Sequence, residues 1–486
     1  MSEHHHIEAF EIENPPNLFK RGSGFSTDSN ISEEENSSND NIIFQEDSLE
    51  LDSRNKPLLH KAYCGIRGDS DLSGILNVTV SAIGGGCFSF PYMVYQGGIL
   101  VVIFIFIFVT LCVYYSIDLL RSFVVDTKYF SFALMTETIL GPRWLKIYAF
   151  CSFIIYFTMV INYLATIYVY IQGMLDVDGA LFNTFYFLIT MIIEIIICLY
   201  ISKMDNMMFF LSIVSITSFF LIIFSLIILS IFANIEGEAE NKFISENLFF
   251  PKISPKTTIN KILKISSYII EYVYAYSYHS TFPTIIGYLN KVNNKNTKRV
   301  HLISFGIVVF SYILITFFGY ILNTEVPNQL FKENDKLFSG GWAILRKPFK
   351  TVLVIYLLTL VPVRFIVVRD NYTTLFGKQK LTFKKELIII FAFVLICNVF
   401  VYTLWQFEKY SEDWDIRTLV QALGGMLGVI ISFCLPVINY ISVNGKRKIK
   451  SIIGYIISFI FVIVGFFSLT YTIYKIIVGD DQSRES

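Results

Sequence analysis

Long apolar segments follow one another along this sequence after its first 71 residues. We count about eleven of them, and each is close to the ~20 residues that a helix needs to cross a bilayer. Within hydrocarbon every backbone N–H and C=O group must be bonded inside the protein, which a helix achieves within one segment. The sequence therefore predicts an all-α integral membrane protein with about eleven transmembrane helices.

The chain divides into three predicted parts. Residues 1–71 are rich in Ser, Asn, Asp and Glu and are predicted to form a disordered tail. Residues 72–478 form the membrane domain, and residues 479–486 form a short C-terminal tail. The predicted spans are 72–95, 99–120, 144–171, 182–201, 207–233, 265–289, 301–322, 351–368, 387–405, 416–441 and 449–477. A short interfacial helix is expected around 130–140, and long loops are expected at 234–264 and 323–350.

The composition agrees with a membrane protein. Hydrophobic residues make up 54% of the chain and charged residues 16%, whereas about a quarter of a soluble domain is charged. Lys plus Arg and Asp plus Glu number 39 each, so the net charge gives no support for a nucleic-acid partner. Six of the seven cysteines fall in apolar spans and no pair falls in the long loops, so we expect no structural disulfide.

Basic residues distinguish the two sides of the membrane. One set of short loops is basic, as in the loop with Lys291, Lys295, Lys298 and Arg299, whereas the opposite short loops carry almost no basic residues. Basic short loops face the cytoplasm, so the N-terminus is predicted to be cytoplasmic. With an odd number of spans, the C-terminus is predicted to be extracytoplasmic.

The first span contains three consecutive glycines, Gly84, Gly85 and Gly86, followed by Pro91. Each glycine costs about 1 kcal/mol relative to alanine inside a helix, so this sequence favours a break halfway across the membrane. Backbone groups freed at such a depth are tolerated where they line a cavity or receive a ligand. The alternative is that the glycines only permit close helix packing.

The sixth span carries a second candidate break. Residues 271–283 place a glutamate, two serines, a histidine and a threonine in an apolar helix and then end on Pro283. Polar groups inside a membrane usually face a cavity or another helix. The first and sixth spans correspond to each other if the chain consists of two five-helix halves of opposite topology. Paired interruptions at corresponding positions predict a substrate site between them.

Several segments resemble a known family. Asn77 followed by Gly84, Gly86 and Pro91 resembles the first-span signature of the amino acid/auxin permease family, and 274–285 is similar to its sixth-span pattern. Residues 132–144, 360–370 and 424–440 also resemble this family, so that the resemblance covers 72–477. It implies the leucine-transporter fold of the APC superfamily, with five-plus-five inverted repeats and one extra helix. It also implies amino acid transport, often coupled to protons or sodium.

The resemblance implies roles for individual residues. The backbone at the three glycines would receive the substrate carboxylate, and the sixth-span break would offer carbonyls to its ammonium group. Two third-span residues either contact the substrate or have a structural role. The predicted substrate-binding residues are Gly84, Gly85, Gly86, Cys87, Tyr276, Ser277, Asn162 and Tyr163.

The candidate residues for ion or proton coupling are Asn77, His279, Thr359 and Glu271. Sodium-coupled members of the family have a second asparagine where this chain has Val80. They also have hydroxyl groups just before the eighth-span proline. At that place in this chain Thr359 is the one side chain with an oxygen that could bind sodium. Fewer oxygen ligands favour proton coupling or simple facilitation over sodium coupling. His279 is either a proton relay or a hydrogen-bonded cap of the broken helix.

Two further charged residues lie inside predicted spans. Glu194 occupies the fourth span, where an acid is a functional candidate by default, or it lies in contact with water. Arg364 in the eighth span either extends to the cytoplasmic face or pairs with Glu194 or another buried acid. The remaining Phe and Tyr residues are interpreted as lipid-facing or packing surface.

We find no catalytic constellation, metal-ligand spacing or phosphate-binding glycine loop in the sequence, so we expect neither an enzyme nor a cofactor or metal. The expected function is a secondary amino acid carrier that works by alternating access and prefers neutral substrates. The expected partners are this substrate, a proton or sodium ion, and the lipid bilayer of a plasma or vacuolar/lysosomal-type membrane. The alternative is an amino acid sensor that binds without net transport.

Overall fold

The computed structural model describes residues 70–175, 180–203, 207–235, 258–322, 343–375, 383–410, 416–444 and 449–478. Within these ranges the regular structure is helical and no strand occurs. The predicted N-terminal tail up to residue 69, the C-terminal tail from residue 479, and most of the two predicted long loops lie outside the described residues.

Fifteen α-helices are present in the described part of the chain. They are α1 Asp71–Ala82, α2 Phe90–Gly97, α3 Ile99–Thr127, α4 Phe132–Leu140, α5 Pro142–Leu175, α6 Ala180–Lys203, α7 Met207–Ile235, α8 Thr258–Ala275, α9 Phe282–Gly287, α10 Asn294–Leu322, α11 Ala343–Leu375, α12 Phe383–Tyr410, α13 Ile416–Val429, α14 Leu435–Asn444 and α15 Ile449–Val478. Helix α4 is the predicted interfacial helix.

Most of the long helices can cross a bilayer. By length and apolar composition, eight helices among the described residues qualify, and nine spans result if the bent segment from α1 to α2 counts as one. The predicted fourth span coincides with α6 and the predicted sixth span with α8 plus α9. The number eleven stays a prediction.

Several helices extend beyond the predicted spans, and three of them begin well before the predicted start. Helix α8 begins at Thr258, α10 at Asn294 and α11 at Ala343. The apolar pattern begins later than each helix because the first two turns carry basic residues. Long basic side chains can stay at the water interface while the backbone is already helical. Near the start of α8, the Lys264 ammonium donates a hydrogen bond to Gln96 Oε1 at the end of α2, at 3.0 Å.

The predicted tenth span is a helix with an irregular turn. A π-helical turn, Ile430–Cys434, joins α13 to α14. Pro436 has no N–H and leaves the carbonyl of Ser432 without its helical partner. The Ser116 hydroxyl from α3 donates to that carbonyl instead. The proline therefore links the tenth span to the second.

The broken helices lie inside the bundle. Helix α1 packs against α10 and α7, and α8 packs against α15 and α13. Helix α11 packs along α5 and α7. The residues around both breaks belong to one continuous buried core. This arrangement places α5, α10 and α11 around the two interruptions.

Candidate functional site: two helix breaks that share a tyrosine

The first span is broken where the sequence predicts it. Helix α1 ends at Ala82, Ile83 and Gly84 are extended, and a short 3₁₀ helix, Gly85–Ser89, leads into α2. The two parts are bent by 50°. Pro91 lies in the first turn of α2, where its missing N–H costs no helical hydrogen bond.

The glycines permit close approach at this break. Gly84 has φ −99°, which any residue can adopt, so the turn does not require a left-handed backbone. A Cβ atom at Gly85, however, would lie 2.8 Å from Cε1 of Tyr163. The break and the close packing, which the sequence leaves as alternatives, therefore occur together.

The second break is also present. Helix α8 ends at Ala275 and α9 begins at Phe282, so residues 276–281 interrupt the predicted sixth span. The Tyr276 carbonyl accepts the N–H of Tyr278 at 2.9 Å within this segment. The prediction of paired interruptions in the first and sixth spans is confirmed.

Tyr312 of α10 connects the two breaks. Its hydroxyl lies 2.9 Å from the carbonyl oxygen of Ala82 and 2.9 Å from that of Ala275. The same hydroxyl accepts the N–H of Gly84 at 3.4 Å. These two carbonyls end α1 and α8, where a helix has no internal donors left. One buried hydroxyl thus serves both helix ends.

Side chains also serve the neighbouring carbonyls of the first break. Arg364 Nη1 donates to the Ser81 carbonyl at 2.9 Å, and the Tyr356 hydroxyl donates to the Ile83 carbonyl at 3.4 Å. Together with Tyr312, they give three successive carbonyls one side-chain donor each. By contrast, no side chain caps the start of the 3₁₀ helix, where the first N–H groups of a helix have no internal acceptor.

The predicted third-span residues lie beside the breaks. Tyr163 packs over Gly85, and its hydroxyl accepts from Arg364 Nη2 at 3.5 Å. The Asn162 amide donates to the Tyr274 hydroxyl at 3.3 Å. Tyr274 in turn donates to Thr158 at 3.3 Å. Asn162 therefore ties α5 to α8 just before the second break.

The other predicted substrate-binding side chains surround this region. Cys87 is fully buried, and its N–H donates to the Gly84 carbonyl at 3.3 Å. The Tyr276 hydroxyl is 3.2 Å from Thr110 Oγ1 on α3. The Ser277 hydroxyl donates to the Val273 carbonyl at 3.0 Å.

The predicted coupling residues Asn77 and Thr359 are engaged elsewhere. The Asn77 side-chain oxygen accepts from the Ser212 hydroxyl of α7 at 2.7 Å. The Thr359 hydroxyl donates to the Tyr356 carbonyl of its own helix at 2.6 Å.

His279 lies in the second break without hydrogen bonds. Both ring nitrogens are buried and neither has a partner among the described residues. No hydrogen-bonded cap formed by His279 is therefore present among the described residues. The Ser89 hydroxyl lies 3.4 Å from Glu271 Oε2, so Glu271 links α8 to the 3₁₀ helix of the first break.

The expected partner of Arg364 is also wrong. Arg364 is 1% exposed, so it does not reach the membrane surface. Glu194 is likewise buried and away from water, and it accepts from the Asn398 amide at 2.9 Å. Arg364 bonds to the backbone carbonyl of Ser81 instead, because the break in α1 leaves this carbonyl without a helical donor. A search for acidic partners alone does not find such an acceptor.

Tyr312 and Tyr356 are absent from the predicted site. Both were interpreted as packing surface, and both are buried with hydroxyls on backbone carbonyls of the break. Among 29 tyrosines, nothing local distinguishes them. The one available signal is their position in the seventh and eighth spans, at mid-membrane depth.

Comparison with solved structures shows the fold. A manganese transporter from Eremococcus coleocola has 12% identity and a TM-score of 0.59, covering 86% of this chain and 89% of its own. MhsT in complex with L-phenylalanine has 15% identity and a TM-score of 0.51, covering 83% and 98%. Mhp1 in an inward-facing conformation has 11% identity and a TM-score of 0.54, covering 84% and 90%. The fold is the leucine-transporter fold, as the sequence predicts.

Comparison of the sequence with curated proteins gives no match. The sequence profile of a family described as transmembrane amino acid transporter protein matches residues 67–478. This range contains both helix breaks, all the side chains that bond to them and every described helix. The chain belongs to the transmembrane amino acid transporter family.

Proposed function

We propose that this protein is a secondary carrier that binds an amino acid between the two helix breaks and moves it by alternating access. The observation that carries the proposal is the position of the Tyr312 hydroxyl, 2.9 Å from the last carbonyl of α1 and 2.9 Å from that of α8. Freed backbone groups of two broken spans thus meet at one point, as they do in secondary transporters.

The breaks complement a zwitterion. The C-terminal ends of α1 and α8 carry partial negative charge and attract an ammonium group. The N-terminal end of the 3₁₀ helix at Gly85 carries partial positive charge, and its N–H groups suit a carboxylate. A substrate ammonium would take over the acceptors at Ala82 and Ala275 from the Tyr312 hydroxyl.

The surroundings favour neutral substrates. The carbonyls that end α1 and α8 bond to tyrosine hydroxyls and to Arg364, and the ring of Tyr163 covers Gly85. Tyr276 packs against Tyr312 with ring centroids 5.0 Å apart. Aromatic walls of this kind suit an aliphatic or aromatic side chain better than a charged one.

Coupling is to a proton, with facilitation as the simpler form of the same carrier. The Asn77 side-chain oxygen accepts from Ser212, and Val80 stands where sodium-coupled members of the family have a second asparagine, so few side-chain oxygens are available for sodium. His279 has no hydrogen-bond partner within the described residues, and an unbonded buried imidazole is costly unless a proton, water or ligand meets it. We assign the coupling proton to His279, with Glu271 as the second titratable group near the breaks.

The N-terminus is placed in the cytoplasm, and the C-terminus on the other side, because basic residues concentrate in one set of short loops. The carrier then resides in a plasma membrane or in the membrane of an acidic vacuole. In either location a proton gradient directed into the cytoplasm can drive uptake.

The test is uptake of radiolabelled amino acids into proteoliposomes containing the purified full chain. The panel covers neutral, aromatic, acidic and basic amino acids, each at acidic and neutral pH and with sodium or choline. Uptake of neutral amino acids that rises at acidic pH is expected. Binding without uptake would indicate a sensor, and best competition by arginine or glutamate would refute the substrate class.

A further inference from the structure

Arg364 is a buried charge without an acidic partner. Its side chain is 1% exposed, and no carboxylate in the described ranges forms an ion pair with it. The guanidinium instead lies beside the hydroxyl of Tyr163 and the ring of Tyr156. A charge at this depth is costly, so such residues usually have a function in the transport pathway.

The groups around Arg364 are those that bind cations. Nη1 donates to the Ser81 carbonyl at 2.9 Å and Nη2 to the Tyr163 hydroxyl at 3.5 Å. The guanidinium carbon lies 6.0 Å from the centre of the Tyr156 ring, a distance at which an aromatic face attracts a cation. Oxygen lone pairs and a ring face would not hold an anion at this position.

The position of the guanidinium is also informative. Ser81 lies in the last turn of α1, and the next carbonyls, of Ala82 and Ile83, accept from neutral tyrosine hydroxyls. The C-terminal end of a broken half-helix has partial negative charge and in secondary transporters coordinates sodium or protons. Among the residues that the structure describes, Arg364 is the charged group that bonds to a carbonyl at that end.

We propose that Arg364 is a built-in cation that permanently takes the position of an inorganic ion at the C-terminal end of α1. This inference rests on the proposed transport function and adds that substrate binding and uptake require no sodium. Because the charge is covalently attached to α11, it stabilises the broken helix in every conformation and is never released. It also leaves the proton as the ion available for coupling.

The sharpest test removes the guanidinium. In Arg364→Ala the Ser81 carbonyl loses its donor and the space of the side chain opens beside it. Uptake in choline medium should fall about tenfold or more, as for loss of a charged hydrogen bond. Sodium or guanidinium chloride should restore part of it, whereas wild-type uptake should be the same in sodium and choline at equal ionic strength.

A readout independent of transport uses thermal unfolding of the purified protein. Sodium should raise the unfolding temperature of Arg364→Ala and leave that of the wild type unchanged relative to choline. The control is Arg369→Ala on the same helix, which removes the ion pair with Glu386 at 3.4 Å and should gain no cation response. Arg364→Lys, which keeps the charge, should remain indifferent to sodium.

Two results would overturn the proposal. One is wild-type uptake or substrate binding that requires sodium, and this result counts even if Arg364→Ala does not fold. The other is a folded Arg364→Ala protein that responds to no cation. Failure of the transport proposal looks different, because then the wild type shows no uptake in any medium while the cation response of the variant remains measurable.

Discussion

Replacing Tyr312 with phenylalanine separates its hydroxyl from its ring. The ring would keep its packing against Phe90 and Tyr276, whose centroids lie 5.2 and 5.0 Å away. The hydroxyl bonds to Ala82, Ala275 and Gly84 would be lost. The one hydroxyl proton serves a single carbonyl at a time, so the empty protein loses one donated bond and one long accepted bond.

The expected magnitude follows from this count. A buried group left without its partner costs about 1–3 kcal/mol, so the empty Tyr312→Phe protein should be less stable by an amount in this range. The substrate ammonium would satisfy the carbonyls of Ala82 and Ala275 in the bound state. Loss of the hydroxyl then destabilises the substrate-bound protein less than the empty protein, so substrate affinity should rise. A difference of about 1–2 kcal/mol corresponds to a Kd lowered by a factor of roughly 5–30.

The assay is calorimetric titration of the purified protein with the amino acid that is taken up best, together with thermal unfolding without substrate. Tyr115→Phe is the matched control, because its hydroxyl also donates to a backbone carbonyl, that of Lys450 on α15. This control should leave the affinity unchanged. A Tyr312→Phe protein that binds its substrate as tightly as the wild type, or more weakly, would refute the competition between hydroxyl and ammonium.

Three further substitutions test other parts of the site. Gly85→Ala should abolish most uptake, because its Cβ would lie 2.8 Å from a tyrosine ring carbon, whereas Gly306→Ala, with nothing within 4 Å, should transport normally. His279→Asn should remove the stimulation of uptake by acidic pH; an unchanged ratio of acidic to neutral uptake would contradict the assigned proton site. Asn398→Ala should lower the free energy of unfolding by about 1–3 kcal/mol because Glu194 loses its hydrogen bond, while Glu194→Gln should leave uptake intact; reduced uptake at normal stability would instead make Glu194 a transport residue.

The two helix breaks could be predicted because the residues that cause them are local. Three glycines followed by Pro91, and a polar run followed by Pro283, both weaken a helix within one or two turns. The starts of helices were less predictable, as at α8 and α11, because the helical hydrogen bonds begin before the apolar periodicity does. The tenth span shows a similar limit, because the serine of α3 that bonds to the Ser432 carbonyl in its π turn is far away in the sequence.

The side chains that bond to the breaks could not be predicted, because their partners are backbone atoms. Pairing Arg364 with an acid assumes that the nearest acceptor is a side chain, yet the break itself creates acceptors at Ser81 and its neighbours. The glycine pattern predicts that backbone carbonyls are left without helical donors, but it does not predict which helix supplies side-chain donors to them. Tyr312 is 228 residues from Gly84 in sequence, so only the packing of α10 against α1 reveals it.

If the chain alternates between the two sides as we propose, it must also return without its substrate, and the internal bonds of the breaks fit this requirement. Bare carbonyls at this depth would be costly in the empty protein. Tyr312, Tyr356 and Arg364 remove that cost by donating to the end of α1. In the proposed carrier the Tyr312 hydroxyl yields to a substrate ammonium, whereas the guanidinium of Arg364 stays on the Ser81 carbonyl. In the proposed cycle the bond from a tyrosine hydroxyl is exchanged for a bond from the substrate, whereas the bond from Arg364 is kept throughout.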